Sequence, residues 1–396
     1  MPENWKTAEE LLIADRGGLV LEPVVGLHED VVELDYASLY PNIMVLHNIS
    51  PETMLCPCCP DSTHRVPQLG YHICQRQKGL LPEVLEPILL RRFCFKARAK
   101  NKQYDHAVYT ELQKAWKWVL VVCFGYTGYR NARYGRIECH ESITAFSRDI
   151  LLTAFEVAQQ AGYEVLHGIV DSLWVKGSPG CTRPFHLSRM ISTRTGIRMD
   201  VEGRYKWIVF LPSKGTGVGA LTRYYGLFEN GTVKIRGVEL RQHNTPAFLK
   251  NAQHEMLTVF KHASTAEEFR ALIPNSVEVL RRSAAVLRDN AVNHNDLVFT
   301  TTISKDIASY RVNTLAKSAL LQLQDLGVQV ELGQSVRYLV TDEYSRNYKR
   351  RVCLAEKLQG TETIDVGYYL RQLAKCAESL LTPFGYTIGK LEEMLR

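Results

Sequence analysis

Two aspartates stand in company that charged side chains rarely keep. Asp35 closes the apolar run "VVELDY" (31 to 36) just ahead of a Ser-Leu-Tyr-Pro turn, and Asp171 lies inside "HGIVDSLWV" (167 to 175), with apolar residues pressing on both sides. A carboxylate in such surroundings is costly unless a cation or a set of donors meets it. If the two strands are neighbours, both carboxylates converge on one spot and can hold divalent ions by hard oxygen ligation, with substrate phosphates completing the shell. Such a pair suits phosphoryl or nucleotidyl transfer, in which one ion activates a hydroxyl and a second steadies the leaving oxygen. The bland alternative is that each Asp merely caps a strand or turn.

Two further groups of residues have chemistry in their spacing. Arg92 and Lys96 are one helical turn apart and share a face, and Lys117 on a following antiparallel helix faces the same space. Three cations there would neutralise a triphosphate, although a run such as "RRFCFKARAKNK" is also what a solvated basic face looks like. The second group is "CPCCPDSTHRVPQLGYHIC", with Cys56, Cys58, Cys59, His64, His72 and Cys74. Cys56 and Cys59 make a C-x-x-C knuckle that His72 or Cys74 would complete as a candidate structural zinc shell; plain packing of small apolar side chains is the competing reading.

The elements that must position these residues read as mixed α and β. Strand-like segments are 31 to 36, 164 to 177, 206 to 211 and 232 to 240, the last two separated by Gly-rich or Asn-Gly turns. Two long antiparallel helices are predicted between about 80 and 125, punctuated by Pro82 and Asn101, and helices prevail again from about 245 onward. No fixed-period repeat or low-complexity tract interrupts the chain. At 396 residues and 45% hydrophobic content it can bury a real core. Lys plus Arg number 48 against 42 Asp plus Glu, and the resulting charge of +6 permits a polyanionic partner without demanding one. No stretch approaches the roughly 18 to 20 apolar residues that span a bilayer, and the N-terminus lacks a signal-peptide pattern, so a cytoplasmic protein with no membrane partner is expected.

In sequence order, "DYASLYP" (35 to 41), "ISPETML" (49 to 55), "GLLPEVLEPILLRRFCFKARAK" (79 to 100), "QKAWKWVLVVCFGYTGYRNARYG" (113 to 135), "ECHESITAFSRDIL" (138 to 151), "VDSLWV" (170 to 175), "TRYYGLFENGTVKIRGVELR" (222 to 241) and "DVGYYLRQLAKCAESLLTPFGY" (365 to 386) resemble the polymerase half of archaeal-type family B DNA polymerases. The resemblance implies an α+β right hand: an antiparallel-sheet palm over 1–77 and 125–239, with a Cys-rich insertion at 56–74, helical-hairpin fingers over 78–124, and a mainly helical thumb over 240–396. It implies template-directed addition of dNTPs to a primer 3′-hydroxyl with two magnesium ions. By matching position, Asp35 and Asp171 would be the metal ligands, with the Tyr36 carbonyl as an added oxygen. Ser38, Leu39, Tyr40, Arg92, Lys96 and Lys117 would bind the nucleotide, Tyr40 stacking under the sugar and excluding a 2′-hydroxyl, and Arg223 and Tyr224 would contact primer DNA.

The chain departs from the family's pattern in places. The usual Asp-Thr-Asp reads Ile169-Val170-Asp171, which keeps the indispensable ligand and loses the auxiliary one, so weaker ion binding is expected. Polar groups near the nascent base pair are replaced by Val121, Val122 and Phe124, and Thr222 stands where a basic primer contact is usual, leaving Arg223 to compensate. Only 34 residues precede the first motif, so the editing exonuclease is expected on a separate subunit, or absent from a truncated, error-tolerant or damage-bypass enzyme; a sliding clamp is a further expected partner. The alternative is a catalytically decayed DNA-binding or scaffold paralogue that assists another polymerase.

Overall fold

The computed structural model describes residues 6–129 and 131–395. The chain divides into two compact units, residues 1–23 with 30–204, and residues 24–29 with 205–396.

In the first unit a short helix α1 (Ala8–Ala14) starts from a capping box, the Thr7 hydroxyl accepting from the Glu10 N–H while Glu10 reaches back to Thr7. Strands β1 (Val20–Leu21) and β2 (Gly26–Tyr36) precede helix α2 (Leu39–Leu46). The long pair α3 (Leu80–Lys100) and α4 (His106–Thr127) follows, then α5 (Ile137–Gln160), β3 (Tyr163–Ile169), β4 (Ser172–Gly177), α6 (Pro184–Thr195) and β5 (Met199–Pro212), whose last eight residues belong to the second unit. The sheet of this unit is antiparallel in the order β1-β3-β4-β2. Val32, Leu34, Leu173 and Val175 of the sheet are buried in one core with Ile143, Phe146, Leu151 and Ala154 of α5. The predicted helical hairpin is present as read: α3 ends at an extended Asn101, and Asp105 caps α4 by accepting from the N–H groups of Ala107 and Val108. Leu120 and Thr127 are the buried residues of the 22 in α4. Packing therefore holds the hairpin near one end and leaves the rest exposed.

In the second unit β5 continues into an antiparallel meander with β6 (Gly219–Phe228) and β7 (Val233–Arg236). Then come α7 (Ala247–Phe260), α8 (Ala266–Ala271), α9 (Ile273–Arg288), β8 (Phe299–Thr302), α10 (Leu315–Asp325), β9 (Ser335–Val340), α11 (Tyr348–Arg351), β10 (Val352–Leu354), α12 (Val366–Leu381) and α13 (Ile388–Met394). Its core gathers Trp207, Tyr225, Phe260, Phe269, Leu280, Leu373 and Leu380. Two buried aromatic tips are satisfied: Trp207 Nε1 donates to the Ala263 carbonyl at 3.0 Å and the Tyr225 hydroxyl to that of Leu380 at 2.9 Å. Antiparallel sheets segregated from the helices make the chain α+β, as expected.

Three sequence expectations need correction. The segment 164 to 177, read as one strand, is the β3–β4 hairpin with Val170 and Asp171 in its two-residue loop. The segment 232 to 240 is strand only over Val233–Arg236, because Gly237 turns at φ 67° into a short 3-10 helix, Glu239–Arg241. The helix-rich C-terminal region also holds a three-stranded antiparallel sheet in the order β10-β9-β8.

Candidate active site

The two aspartates meet through strand register. Asp35 of β2 pairs with Ser172 of β4, one residue after Asp171, and the Tyr36 N–H donates to the Asp171 carbonyl at 2.8 Å. The Ser172 hydroxyl lies 2.8 Å from Asp35 Oδ1 and 3.5 Å from Asp171 Oδ1. One hydroxyl thus reaches both carboxylates. Ser172 did not stand out in the sequence; its signal was only its position beside Asp171.

The loop that presents Asp171 is strained. Val170 adopts φ 52°, a left-handed conformation that a β-branched side chain rarely tolerates and that is worth a few kcal/mol. Gly18 lies against it: a Cβ there would sit 2.8 Å from Val170 Cγ2 and 3.4 Å from the Tyr40 hydroxyl. Ser38, at the start of α2, is also left-handed at φ 58°. Strained residues thus flank both aspartates.

These elements enclose a cavity of about 250 Å³ lined by Asp35, Tyr36, Ser38, Leu39, Tyr40 and Asp171 from the sheet, its loop and α2, and by Arg92, Lys96, Lys117, Leu120, Val121 and Phe124 from the helical pair. Every residue expected to hold magnesium or nucleotide is brought to this one space. Arg92 is only 7% exposed; its guanidinium donates to the Ser38 hydroxyl, while its buried Nε–H has no hydrogen-bond partner. Burial lowers its proton affinity, and the negative charge of Asp35 acts in the opposite sense. Lys96 Nζ lies 3.6 Å from Asp200 Oδ2. The Tyr40 ring packs tilted against Phe124 at 4.2 Å between centroids, and Phe124 stacks at 4.3 Å on His140, fixing the wall where α4 meets α2 and α5.

Asp171 carries the electrostatic mark of the site. Burial, and then the charge of Asp35, push its carboxyl up to about 6, against the pull of its own backbone N–H, Lys117 and Ser172. Two crowded carboxylates beside a backbone carbonyl are a hard oxygen donor set, and such a set fits magnesium. Ile169, where the family's auxiliary carboxylate stands, pairs with Val20 across the sheet.

The expected primer contacts fare differently. Arg223 donates from Nε to the Gly237 carbonyl at 3.1 Å and from Nη1 to that of Pro212 at 3.3 Å. Tyr224 is 6% exposed, with its ring 5.9 Å from Phe210. Both side chains help hold the meander: Arg223 gives two of its N–H donors to backbone carbonyls, and Tyr224 is packed away from solvent. In the basic run 346 to 351, Lys349 pairs with Asp325 at 3.0 Å and Arg351 donates to the Glu343 carbonyl at 2.9 Å.

The cysteine cluster also differs from its expected composition. The sulfur atoms of Cys56, Cys58, Cys59 and Cys74 all lie within 4.8 Å of one another. His72 is not among them: its Nε2 is 2.9 Å from the Cys56 carbonyl oxygen. Cys58 takes the place assigned to His72 because the turn at 56 to 59 folds three sulfurs to one side, a fact that spacing alone does not encode.

Among the described residues no helix is long and apolar enough to cross a membrane. The sequence model of DNA polymerase family B matches residues 3–177 and 184–384. DNA polymerase 2 of Aeropyrum pernix is 30% identical over 385 residues, covering 95% of this chain and 46% of that protein. DNA polymerase 2 of Saccharolobus solfataricus is 34% identical over 270 residues, 68% of this chain and 39% of that one. The solved family B DNA polymerase from the hyperthermophilic archaeon Pyrobaculum calidifontis matches with a TM-score of 0.66 and 29% identity over 92% of this chain and 46% of its own. The chain spans about half the length, or less, of these relatives. With its matched segments covering nearly the whole sequence, the chain belongs to DNA polymerase family B.

Proposed function

We propose that this chain catalyses template-directed addition of dNTPs to a DNA primer, with residues 1–77 and 125–239 as palm, 78–124 as fingers and 240–396 as thumb. The observation that carries the reading is the convergence of Asp35 and Asp171 on one serine hydroxyl in a cavity whose other wall holds Arg92, Lys96 and Lys117. Acid on one side and base on the other is what a metal-bound triphosphate requires.

Asp35, Asp171 and the Tyr36 carbonyl would hold two magnesium ions, which supply charge neutralisation and a more acidic primer hydroxyl. The chain's own groups do the positioning. The primer 3′-oxygen loses its proton and forms a bond to the α-phosphorus as the bond to the bridging oxygen breaks and pyrophosphate leaves. Arg92, Lys96 and Lys117 stabilise the charge gathering on that leaving group, and the unpaired Nε–H of Arg92 offers a donor already desolvated for it. Tyr40, braced by Phe124, would form the floor under the sugar and favour deoxynucleotides. Leu120, Val121 and Phe124 give an apolar face with few hydrogen-bonding groups toward the base, in keeping with relaxed nucleotide selection. A zinc-class ion on the four thiols would be structural, with no part in this chemistry.

A scaffold reading is favoured by two observations: Ile169 offers no third carboxylate, and Arg223 and Tyr224 are engaged within their own unit. Primer extension separates the two. Magnesium-dependent incorporation by the chain, lost in Asp171→Asn, is the expected result; a parent protein that binds primer-template and incorporates nothing with any divalent metal would establish the scaffold.

A further inference from the structure

We propose that Cys56, Cys58, Cys59 and Cys74 bind a single thiolate-preferring divalent cation of the Zn²⁺ class, and that this ion anchors the N-terminal end of α3, the helix carrying Arg92 and Lys96. The four sulfurs are gathered closely enough for one ion to reach them all. A tetrahedral site with Zn–S bonds of about 2.3 Å has S···S edges of about 3.8 Å. Here Cys56 to Cys59 is 3.0 Å, Cys56 to Cys58 3.4 Å, Cys58 to Cys74 3.5 Å and Cys58 to Cys59 3.8 Å. Plain core packing does not account for this, because Cys58 and Cys59 are only half-buried. Binding requires thiolates, so the thiols give up their protons as the ion enters. The backbone N–H groups of Arg76 and Gln77 point at the Cys74 sulfur, and that of Gln75 at Cys59.

From the cluster a chain of bonds runs to the helix. The Cys74 N–H donates to the Thr53 carbonyl at 2.8 Å, and Asn48 Nδ2 donates to the carbonyls of Cys74 at 3.0 Å and Gln77 at 2.9 Å. The same Asn48 accepts from the Gly79 N–H at 2.8 Å through Oδ1; Glu52 Oε1 accepts from Leu80 at 2.5 Å and the Ser50 hydroxyl from Leu81 at 3.2 Å. Gly79 at the N-cap has no side chain with which to cap α3, so three donors of its first turn depend on this neighbouring segment. A Cβ on Gly79 would meet Ser50 Cβ at 2.5 Å, which shows how closely the two are joined. Regular strand pairing in the 56 to 74 loop is limited to two isolated bridges, Met54 with Ile73 and Arg65 with His72, and turn hydrogen bonds such as that of the Ser62 hydroxyl to the Ile73 carbonyl at 2.8 Å hold the rest.

The test uses the full chain. After dialysis, metal analysis is expected to find one zinc per chain, and the Co²⁺-substituted protein to show the charge-transfer bands of a tetrahedral tetrathiolate, which needs no substitution. Cys58→Ser and Cys74→Ser are expected to lose the ion and His72→Ala to keep it. Absence of retained metal, with Cys56 and Cys59 found as a disulfide, overturns the site; so does retention in Cys58→Ser with loss in His72→Ala. Chelation is expected to speed hydrogen exchange at the amides of Gly79, Leu80 and Leu81 while α5 stays protected, and unchanged exchange there overturns the anchoring role. A rise in the KM for dNTP on chelation rests on the polymerase reading. A zinc-loaded chain that incorporates nothing would count against that reading and leave the metal result standing.

Discussion

The carboxylate pocket of the first unit and the β6 strand of the second were both read from sequence as places where side chains meet substrate, and they came out differently. In the pocket the polar groups converge and one of them, Arg92 Nε–H, is buried with nothing to bind. On β6, Arg223 is held by two backbone carbonyls and Tyr224 is packed against Phe210. A matching position thus marks where a group is, while the hydrogen bonds around it decide whether it is available.

The largest expected effect sharpens the first half of that contrast. On the proposed reading, Asp35→Asn or Asp171→Asn removes a ligand from a site whose ions would supply several kcal/mol of transition-state stabilisation, so primer extension is expected to fall by roughly 10³-fold or more. Next, Arg92→Ala takes away both the Ser38 contact and the desolvated donor; a loss of roughly 10²-fold in kcat/KM for dNTP is expected by steady-state kinetics.

The pH response follows from Asp171. Its carboxyl ionises near 6 rather than 3.8, so the folded chain holds a proton that the unfolded chain has released between those values. Without metal, stability therefore falls as pH rises through that window, by roughly 3 kcal/mol in all, and denaturant melts of Asp171→Asn are expected to lack this fall. The magnesium concentration giving half-maximal extension is expected to climb as pH drops below about 6, where the protonated ligand competes.

Arg223→Ala tests the second half of the contrast. Loss of two hydrogen bonds to Gly237 and Pro212 is expected to cost about 1 kcal/mol of stability and leave the salt dependence of primer-template binding unchanged. A log–log salt slope smaller by about one would instead make Arg223 a phosphate contact and erase the difference between the two regions. The smallest effect is expected for Val170→Gly, where relief of the left-handed strain and the added chain entropy of glycine leave stability within about 1 kcal/mol in thermal melts.

How much of this was legible follows from where the information sits. Asp35 and Asp171 could be read because a charge among apolar neighbours announces itself, and the helical pair because its period and its punctuation at Pro82 and Asn101 are local. The β3–β4 loop was hidden, since turn chemistry calls for Gly or Asn where Val170 sits. Cys58 was hidden because ligand choice depends on how the 56 to 59 turn folds, and the engagement of Arg223 because its acceptors lie 11 and 14 residues away. The β8–β9–β10 sheet joins short strands across long gaps, and pairing of that kind leaves little periodicity to read.

The most direct test of the site is a crystal structure with Mn²⁺ and a non-hydrolysable dNTP, read by anomalous scattering. Anomalous peaks within bonding distance of both Asp35 and Asp171, with the triphosphate against Arg92 and Lys117, are the expected result. A nucleotide bound elsewhere, or a pocket whose two carboxylates touch no metal at saturating Mn²⁺, would contradict it.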